Sequence, residues 1–295
     1  MASSPKAYSQ LLASFPAEHV LLVTFNRPKA LNAMTPEMTD ELQHILDWFE
    51  EKADLWCACT ALASIYFHLT PSARRVVVFT GAGRIFCAGA DLIAWNKHQQ
   101  SGESSEQARL TADTYGFGSI SRRQSRKPMI AAVNGGAYGG GTEIVLNCDL
   151  VVAGQDAKFA LPEVKRGVIA AAGGIARVER FVGHQLAAEL LLLGKTITAE
   201  DARGRFGFVN VVVPAADVVS AAVQLARDLT QNSPEAVQST KRGLLMAQNL
   251  GLEDAYLQHT WVPETTRVFK GDNIKEGLRA FSEKRSPKWG NPAKL

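Results

Sequence analysis

The chain has 295 residues, of which 46% are hydrophobic and 21% charged, close to the averages for soluble globular proteins. Its 24 glycines and 12 prolines are too few for a collagen-like or low-complexity chain. The formal net charge of +3 is far from the strongly basic balance of a nucleic-acid-binding protein, so no nucleic acid partner is expected.

The cysteines show no paired C-x-x-C spacing, which argues against a disulfide framework and against a zinc site. They are Cys57, Cys59, Cys87 and Cys148. A reducing compartment and no bound metal are therefore expected.

The first residues contain no apolar signal-peptide core, and no run of about 20 apolar residues occurs, so neither secretion nor a membrane span is expected.

The first half of the chain alternates strands with helices. Residues 19–25 predict a buried strand that ends at the turn Asn26-Arg-Pro28. Thr35 then offers an N-cap before Pro36, and a helix is predicted after it because apolar residues recur at helical spacing. Residues 75–81 and 128–134 predict two further strands, each followed by a glycine-rich turn.

From about residue 185 onward the pattern is helical. The predicted helices are 185–193, 199–205, 215–230, 233–249, 252–269 and 272–284. The sequence thus divides into an α/β core over 1–184 and a helical region over 185–295.

An unusual segment at about 53–74 interrupts the core. Its residues 56–73 carry no Asp, Glu, Lys or Arg. Three interpretations are open: an additional packed helical segment, a hairpin that touches a membrane but is too short to span it, or a sequence artefact such as a translated intron.

The first chemical motif is Cys87-Ala-Gly-Ala-Asp91, which follows a predicted strand. Its small side chains leave backbone N–H groups accessible to a ligand oxygen, and Asp91 can cap the following helix. A dinucleotide site is disfavoured because Phe86 stands where the third glycine of that fingerprint would be.

The second motif is the glycine run at 139–141 between a predicted strand and a helix. Its N–H groups and the positive end of the helix dipole suit a phosphate or a developing oxyanion. No Lys-Ser or Lys-Thr follows, so a P-loop is disfavoured. Glu143 lies in the first turn of that helix, a position that favours carboxylates in any protein.

The third motif is Leu161-Pro-Glu163, which alone would be an ordinary helix start. Together with Asn26-Arg-Pro-Lys-Ala-Leu-Asn-Ala-Met34, the first two motifs and the segment 276–285, it resembles the enoyl-CoA hydratase/isomerase (crotonase) superfamily along nearly the whole chain. The resemblance implies an α/β spiral of ββα units, a C-terminal helical trimerisation region, and assembly as a trimer or dimer of trimers.

The resemblance also implies the site residues. The backbone N–H groups of Ala88 and Gly140 would form an oxyanion hole, with Glu143 as base and Glu163 as proton donor. The expected contacts with the CoA thioester involve Lys29, Ala30, Leu31, Gly89, Ala90, Asp91 and Gly139. Phe281 and Lys284 would reach the CoA of a neighbouring subunit. No cofactor is expected, since CoA is part of the substrate.

The retention of both glutamates favours hydration of a trans-2-enoyl-CoA thioester. The alternatives are a Δ3,Δ2-enoyl-CoA isomerase, or a dedicated 3-hydroxyacyl-CoA dehydratase, for example of mevalonyl-CoA in siderophore synthesis. A non-catalytic acyl-CoA-binding protein is the alternative outside enzymes. Ile169 stands near a position where many hydratases have proline, which leaves the acyl-chain preference open.

The final residues Ala293-Lys-Leu295 match the small-basic-Leu pattern of the peroxisomal address. The sequence therefore predicts recognition by the peroxisomal import receptor and a peroxisomal location.

Overall fold

The computed structural model describes residues 8–51, 75–101, 107 and 112–292. Its strands are β1 (Leu11–Ala17), β2 (Val20–Phe25), β3 (Val76–Gly81), β4 (Ile85–Cys87), β5 (Met129–Val133), β6 (Gly136–Tyr138), β7 (Leu150–Gly154), β8 (Lys158–Ala160), β9 (Thr196–Thr198) and β10 (Val211–Val213). They form a six-stranded sheet in the order β1-β2-β3-β5-β7-β10 and a four-stranded sheet in the order β4-β6-β8-β9.

Helices connect and cover the two sheets. They are α1 (Pro36–Glu51), α2 (Leu92–Ser101), α3 (Gly140–Asn147), α4 (Gly174–Val182), α5 (His184–Leu191), α6 (Ala199–Gly204), α7 (Val218–Thr230), α8 (Pro234–Ala247), α9 (Leu252–Trp261), α10 (Pro263–Lys270) and α11 (Asp272–Ser282). In the described part of the chain, no helix is long and apolar enough to cross a membrane.

The larger sheet is buried on both faces at its centre. In β3, Val77 and Phe79 belong to the main core, which also includes residues of α1 and α3. Val76 and Val78 belong to a second core together with residues of α7. This double burial explains why β3 is continuously apolar instead of alternating.

The predicted β2, α1, β3 and β5 are confirmed within one or two residues. Thr35 Oγ1 accepts a hydrogen bond from the Met38 N–H at 3.2 Å, as an N-cap should. The buried face of α1 consists of the residues at helical spacing, Met38, Leu42, Ile45, Leu46 and Phe49. The α/β fold class is confirmed as well.

Two elements differ from the sequence prediction. β1 was not predicted; it contains Pro16 and pairs only with β2, so it is an edge strand, where proline is tolerated. The helix predicted over 252–269 is two helices, because Val262 adopts an extended backbone before Pro263, which begins α10.

The core extends beyond the predicted boundary at 184/185. β9 pairs with β8, and β10 pairs with β7, although both strands come from the region expected to be helical. Only after β10, from α7 onward, are the regular elements of the described residues all helical. The segment 53–74 and the address at 293–295 lie outside the described residues.

Candidate active site

The three sequence motifs follow three adjacent parallel strands. β4 pairs with β6, with Cys87 opposite Ala137, and β6 pairs with β8, with Tyr138 opposite Ala160. Because parallel neighbours end at the same edge of a sheet, the segments that follow these strands converge there. The turn after β4, the glycine run after β6 and Glu163 after β8 therefore form one site.

Glycines allow the first two segments to pack backbone against backbone. A Cβ atom added to Gly89 would lie 2.8 Å from the Tyr138 carbonyl oxygen and 3.6 Å from the Gly140 nitrogen. One added to Gly141 would lie 2.5 Å from the Cys87 carbonyl oxygen. Real Cβ atoms do not approach this closely, so the turn after β4 and the start of α3 require glycine to stay in contact.

The hydrogen bonds of the turn after β4 show which N–H group is available. The Ala88 N–H donates to the Leu31 carbonyl at 3.0 Å, so it cannot serve as the oxyanion donor expected from the sequence. Met34 bridges the flanking residues, its N–H donating to the Gly89 carbonyl and its carbonyl accepting from the Asp91 N–H. The Ala90 N–H between them points away from Met34.

Ala90 and Gly140 supply the two N–H groups that remain. Within the described ranges, neither N–H donates to an acceptor. Gly140 begins α3, and its N–H lies at the positive end of that helix dipole. Of the expected pair, the Gly140 N–H is thus without an acceptor in the described chain, whereas the Ala88 N–H is engaged; Ala90, which the sequence placed only among the substrate contacts, has the other available N–H.

Glu143 lies one turn into α3 and is 3% exposed. Its Oε1 accepts the Gly174 N–H at 2.9 Å. Burial raises the pKa of Glu143 to about 7, and the nearby charge of Glu163 adds to the rise, while the Gly174 N–H and the Arg177 guanidinium oppose it. This carboxyl therefore changes its protonation state near neutral pH.

Glu163 begins a 3-10 turn, Glu163–Arg166, three residues after β8. Burial raises the pKa of this carboxyl above its usual value. Its Oε2 is buried and has no hydrogen-bond partner among the described residues, and its Oε1 lies 3.1 Å from the position of a Cβ added to Gly139. One carboxyl oxygen is thus available beside the glycine run.

The burial of Glu143 makes a testable contribution to stability. A carboxyl whose pKa rises from 4.5 to about 7 on folding costs the folded state stability as pH rises through this interval. One pKa unit corresponds to about 1.4 kcal/mol. The free energy of unfolding of Glu143→Gln, minus that of the parent, should therefore be up to about 3 kcal/mol larger above pH 7 than below pH 4.5. Urea unfolding at pH 5 and pH 8 tests this. A difference that is equal at both pH values would contradict it.

The residues expected to contact CoA fall into two groups. Lys29 is exposed on the 3-10 turn Pro28–Ala30, and Leu31 follows in a left-handed conformation. The Leu31 carbonyl binds the turn after β4, so this group adjoins the site. Phe281 is 85% exposed at the end of α11, and Lys284 follows it. In the described chain these two residues lie on the helical region and not on the segments that follow β4, β6 and β8.

Comparison with known proteins gives consistent matches. The family model for enoyl-CoA hydratase/isomerase matches residues 64–292. A mevalonyl-coenzyme A hydratase of Aspergillus fumigatus is 39% identical over 287 residues, which are 96% of this chain and 96% of that protein. One of Beauveria bassiana is 40% identical over 293 residues, 97% of this chain and 96% of that protein.

Solved structures agree. The crystal structure of an enoyl-CoA hydratase from Mycobacterium tuberculosis superposes with a TM-score of 0.80 at 32% identity and covers 96% of this chain and 99% of its own. One from Bacillus anthracis gives a TM-score of 0.79 at 30% identity, with 95% and 99% covered.

Proposed function

The chain belongs to the enoyl-CoA hydratase/isomerase family, and from this premise we propose that it adds water reversibly to the C2=C3 double bond of a 2-enoyl-CoA thioester. The observation that carries the proposal is the placement of the buried Glu143 and the half-buried Glu163 beside two backbone N–H groups that have no acceptor in the described part of the chain. CoA is part of the substrate, and the reaction requires no further cofactor.

The two N–H groups act on the thioester. When water attacks C3, electrons move through C2 to the thioester carbonyl oxygen, which becomes an enolate oxygen. Donors from Ala90 and Gly140 bind that oxygen, and preorganised donors of this kind stabilise a transition state by several kcal/mol. The dipole of α3 strengthens the Gly140 contribution.

The two carboxyls move the protons. Glu143, ionised, takes a proton from the attacking water while the new C3–O bond forms. Glu163, protonated, delivers its proton to C2 and so discharges the enolate. The raised pKa of both groups suits this division, because one must accept and the other donate a proton near neutral pH. The reverse sequence eliminates water from a 3-hydroxyacyl-CoA.

The isomerase alternative needs one carboxyl to move a proton between C2 and C4 and leaves the second without a task. Both are present here, Glu143 buried and Glu163 half-buried, which supports hydration or dehydration. A purely binding protein would have no use for two desolvated carboxyls, whose burial costs stability.

For the acyl group we propose a small hydroxylated chain of the mevalonyl type. The names of the two fungal relatives support it. Trp95, one turn into α2, adds a structural reason: its indole Nε1 is buried and has no hydrogen-bond partner among the described residues. A buried donor on the helix that follows the Ala90 turn would suit an acyl hydroxyl better than an alkyl chain.

A panel of thioesters tests both levels of the proposal. With crotonyl-CoA, the purified protein should lower the absorbance of the conjugated enoyl thioester. With the dehydrated form of mevalonyl-CoA, its kcat/KM should be higher than with crotonyl-CoA. If the protein is inactive with every enoyl-CoA thioester of the panel, the hydratase proposal is wrong. Equal or lower kcat/KM with the hydroxylated substrate would overturn only the acyl preference.

We further propose assembly as a trimer or dimer of trimers, in which Phe281 and Lys284 complete a neighbour's CoA site. Large apolar side chains exposed on α9 and α11 support it: Leu252 is 89%, Trp261 83% and Phe281 85% exposed. Sedimentation should give a trimer or hexamer, and Phe281→Ala should raise KM for the thioester more than it lowers kcat. A fully active monomer would contradict this.

For location we propose the peroxisome, on the basis of residues 293–295. A fluorescent protein fused to the N-terminus should collect in peroxisomes, and removal of the last three residues should release it to the cytosol without changing activity in extracts. A cytosolic signal from the intact fusion would overturn the location and leave the proposed chemistry untouched.

A further inference from the structure

Arg177 is a partly buried cation close to the active site that the sequence analysis did not identify. It lies on α4, three residues after Gly174, whose N–H binds Glu143. Its Nη2 donates to Asn147 Oδ1 at 2.5 Å. Asn147 is the last residue of α3 and lies four residues, about one turn, after Glu143. The guanidinium therefore joins α4 to the helix that carries the base.

Asn147 is itself held on the opposite side. Its Nδ2 donates to the carbonyls of Ile120 at 2.6 Å and Arg123 at 2.9 Å. All three polar contacts of this amide are hydrogen bonds within the described chain, so its oxygen is fixed toward Arg177. The position of the guanidinium is consequently determined by a rigid acceptor.

The second half of the guanidinium faces the turn before α4. A Cβ added to Gly173 would lie 2.1 Å from Arg177 Nη1, so the guanidinium rests directly on the backbone of this residue. Gly173 has a φ of +113°, in the region that favours glycine. Ser121 Oγ holds the same turn by donating to the Ala172 carbonyl at 2.8 Å. The turn that presents the Gly174 N–H to Glu143 is thus supported from two sides.

Arg177 Nη1 is buried and lacks a hydrogen-bond partner among the described residues. An arginine used only to join two helices would have both ends of its planar fork occupied, because an unmade hydrogen bond in the interior is costly. The observed arrangement instead leaves one end of the fork without an acceptor in the described part of the chain.

The charged groups around Glu143 oppose one another. Glu163, on the 3-10 turn, disfavours the ionised form, whereas Arg177, on α4, favours it. Arg177 in turn faces Glu143 and Cys148 as well as the cations Arg122 and Arg180. Burial lowers the pKa of the Arg177 guanidinium. Arginine side chains nevertheless stay charged in proteins, so Arg177 is a cation here.

We propose that Arg177 is a positioning residue for Glu143: anchored by Asn147 and lying against the Gly173 backbone, it fixes the turn that binds this carboxylate and supplies positive charge that favours its ionised form. The inference rests on the proposed hydratase function. In this role Arg177 does not contact the substrate and acts only through Glu143.

The test compares Arg177→Gln, Arg177→Lys and the parent over the pH range 5.5 to 9.5, with crotonyl-CoA as the probe. Loss of the charge makes the base harder to ionise, so the acid limb of kcat/KM should move upward by about one pH unit in Arg177→Gln. Near pH 6 this corresponds to about a tenfold lower rate, whereas at pH 9 the rates should differ much less. Arg177→Lys retains the charge, so the acid limb of its kcat/KM profile should lie at the same pH as in the parent.

Arg180→Gln is the matched control, because Arg180 lies on the same helix and is exposed. Its acid limb should stay with the parent. A uniform loss at every pH in Arg177→Gln, or an unmoved limb, would overturn the inference. If Arg177→Gln does not fold, Arg177→Lys still decides: an acid limb shifted upward despite the retained charge would overturn it, and an unshifted limb with a lowered kcat supports it.

Failure of this inference is distinguishable from failure of the proposed function. If the parent enzyme does not hydrate crotonyl-CoA or the hydroxylated substrate, the proposed function fails. If the parent is active and the limb does not move, only the role of Arg177 fails. The double variant Glu143→Gln/Arg177→Gln adds a further check, since its residual rate should show no additional pH shift from the loss of Arg177.

Discussion

Replacement of Glu143 by glutamine is expected to lower kcat for hydration at least about 100-fold, with little change in thioester binding. The amide has nearly the same volume and can still accept the Gly174 N–H, but it cannot take a proton from water. Glu163→Gln should cause a loss of similar size, because the enolate then has no proton donor at C2. Steady-state kinetics at pH 8, with calorimetric titration of a non-reactive acyl-CoA, measures both effects.

A matched control is Glu253→Gln, since Glu253 is exposed in the first turn of α9, outside the site. It should leave kcat unchanged. The double variant Glu143→Gln/Glu163→Gln should lose less than the product of the single losses, because the two carboxyls serve one reaction cycle. Turnover close to that of the parent in either single variant would rule out the two-carboxyl mechanism.

Gly141→Ala should have an effect of comparable size for a different reason. The new Cβ would lie 2.5 Å from the Cys87 carbonyl oxygen and 2.9 Å from the Cys87 Cβ, so the two turns must separate. Separation moves the Gly140 N–H away from the Ala90 N–H, and loss of one such donor typically costs about 100-fold to 1,000-fold in kcat. Overpacking should also lower the free energy of unfolding by about 1–3 kcal/mol.

Gly204→Ala provides the comparison, because a Cβ at Gly204, the last residue of α6, would meet nothing within 4 Å. It should preserve kcat and leave stability unchanged or slightly raised. Kinetics and urea unfolding of both variants measure the pair. A folded Gly141→Ala enzyme with kcat equal to that of the parent would show that the contact between the turns does not set the donor geometry.

The sequence predicted those elements whose signals are local. α1 has an N-cap at Thr35 and an apolar face, and β3 and β5 are apolar runs bounded by turns, so each could be located without tertiary information. β1 escaped prediction because its weak alternation includes Pro16, whose tolerance depends on the strand being at an edge. The strands β9 and β10 have only three residues each and become recognisable through their partners in the sheets.

The motifs identified the segments that converge in the structure, but not which of their atoms are available. Both carboxyls lie where the motifs implied, but the choice between the Ala88 and Ala90 N–H groups depends on the Leu31 carbonyl, 57 residues away in the chain from Ala88. No local pattern reports such a contact. The same holds for Arg177, whose relation to Glu143 passes through Asn147 and through the packing of α4 on α3.

The convergence of β4, β6 and β8 has an evolutionary consequence. The proposed mechanism divides its tasks among three strand ends: one oxyanion donor follows β4, the other donor and the base follow β6, and the proton donor follows β8. A codon change at Glu163 could therefore remove protonation at C2 while the machinery that activates the thioester stays intact. A duplicated gene with this architecture could acquire a new acyl-CoA reaction through single substitutions, without first having to rebuild its fold.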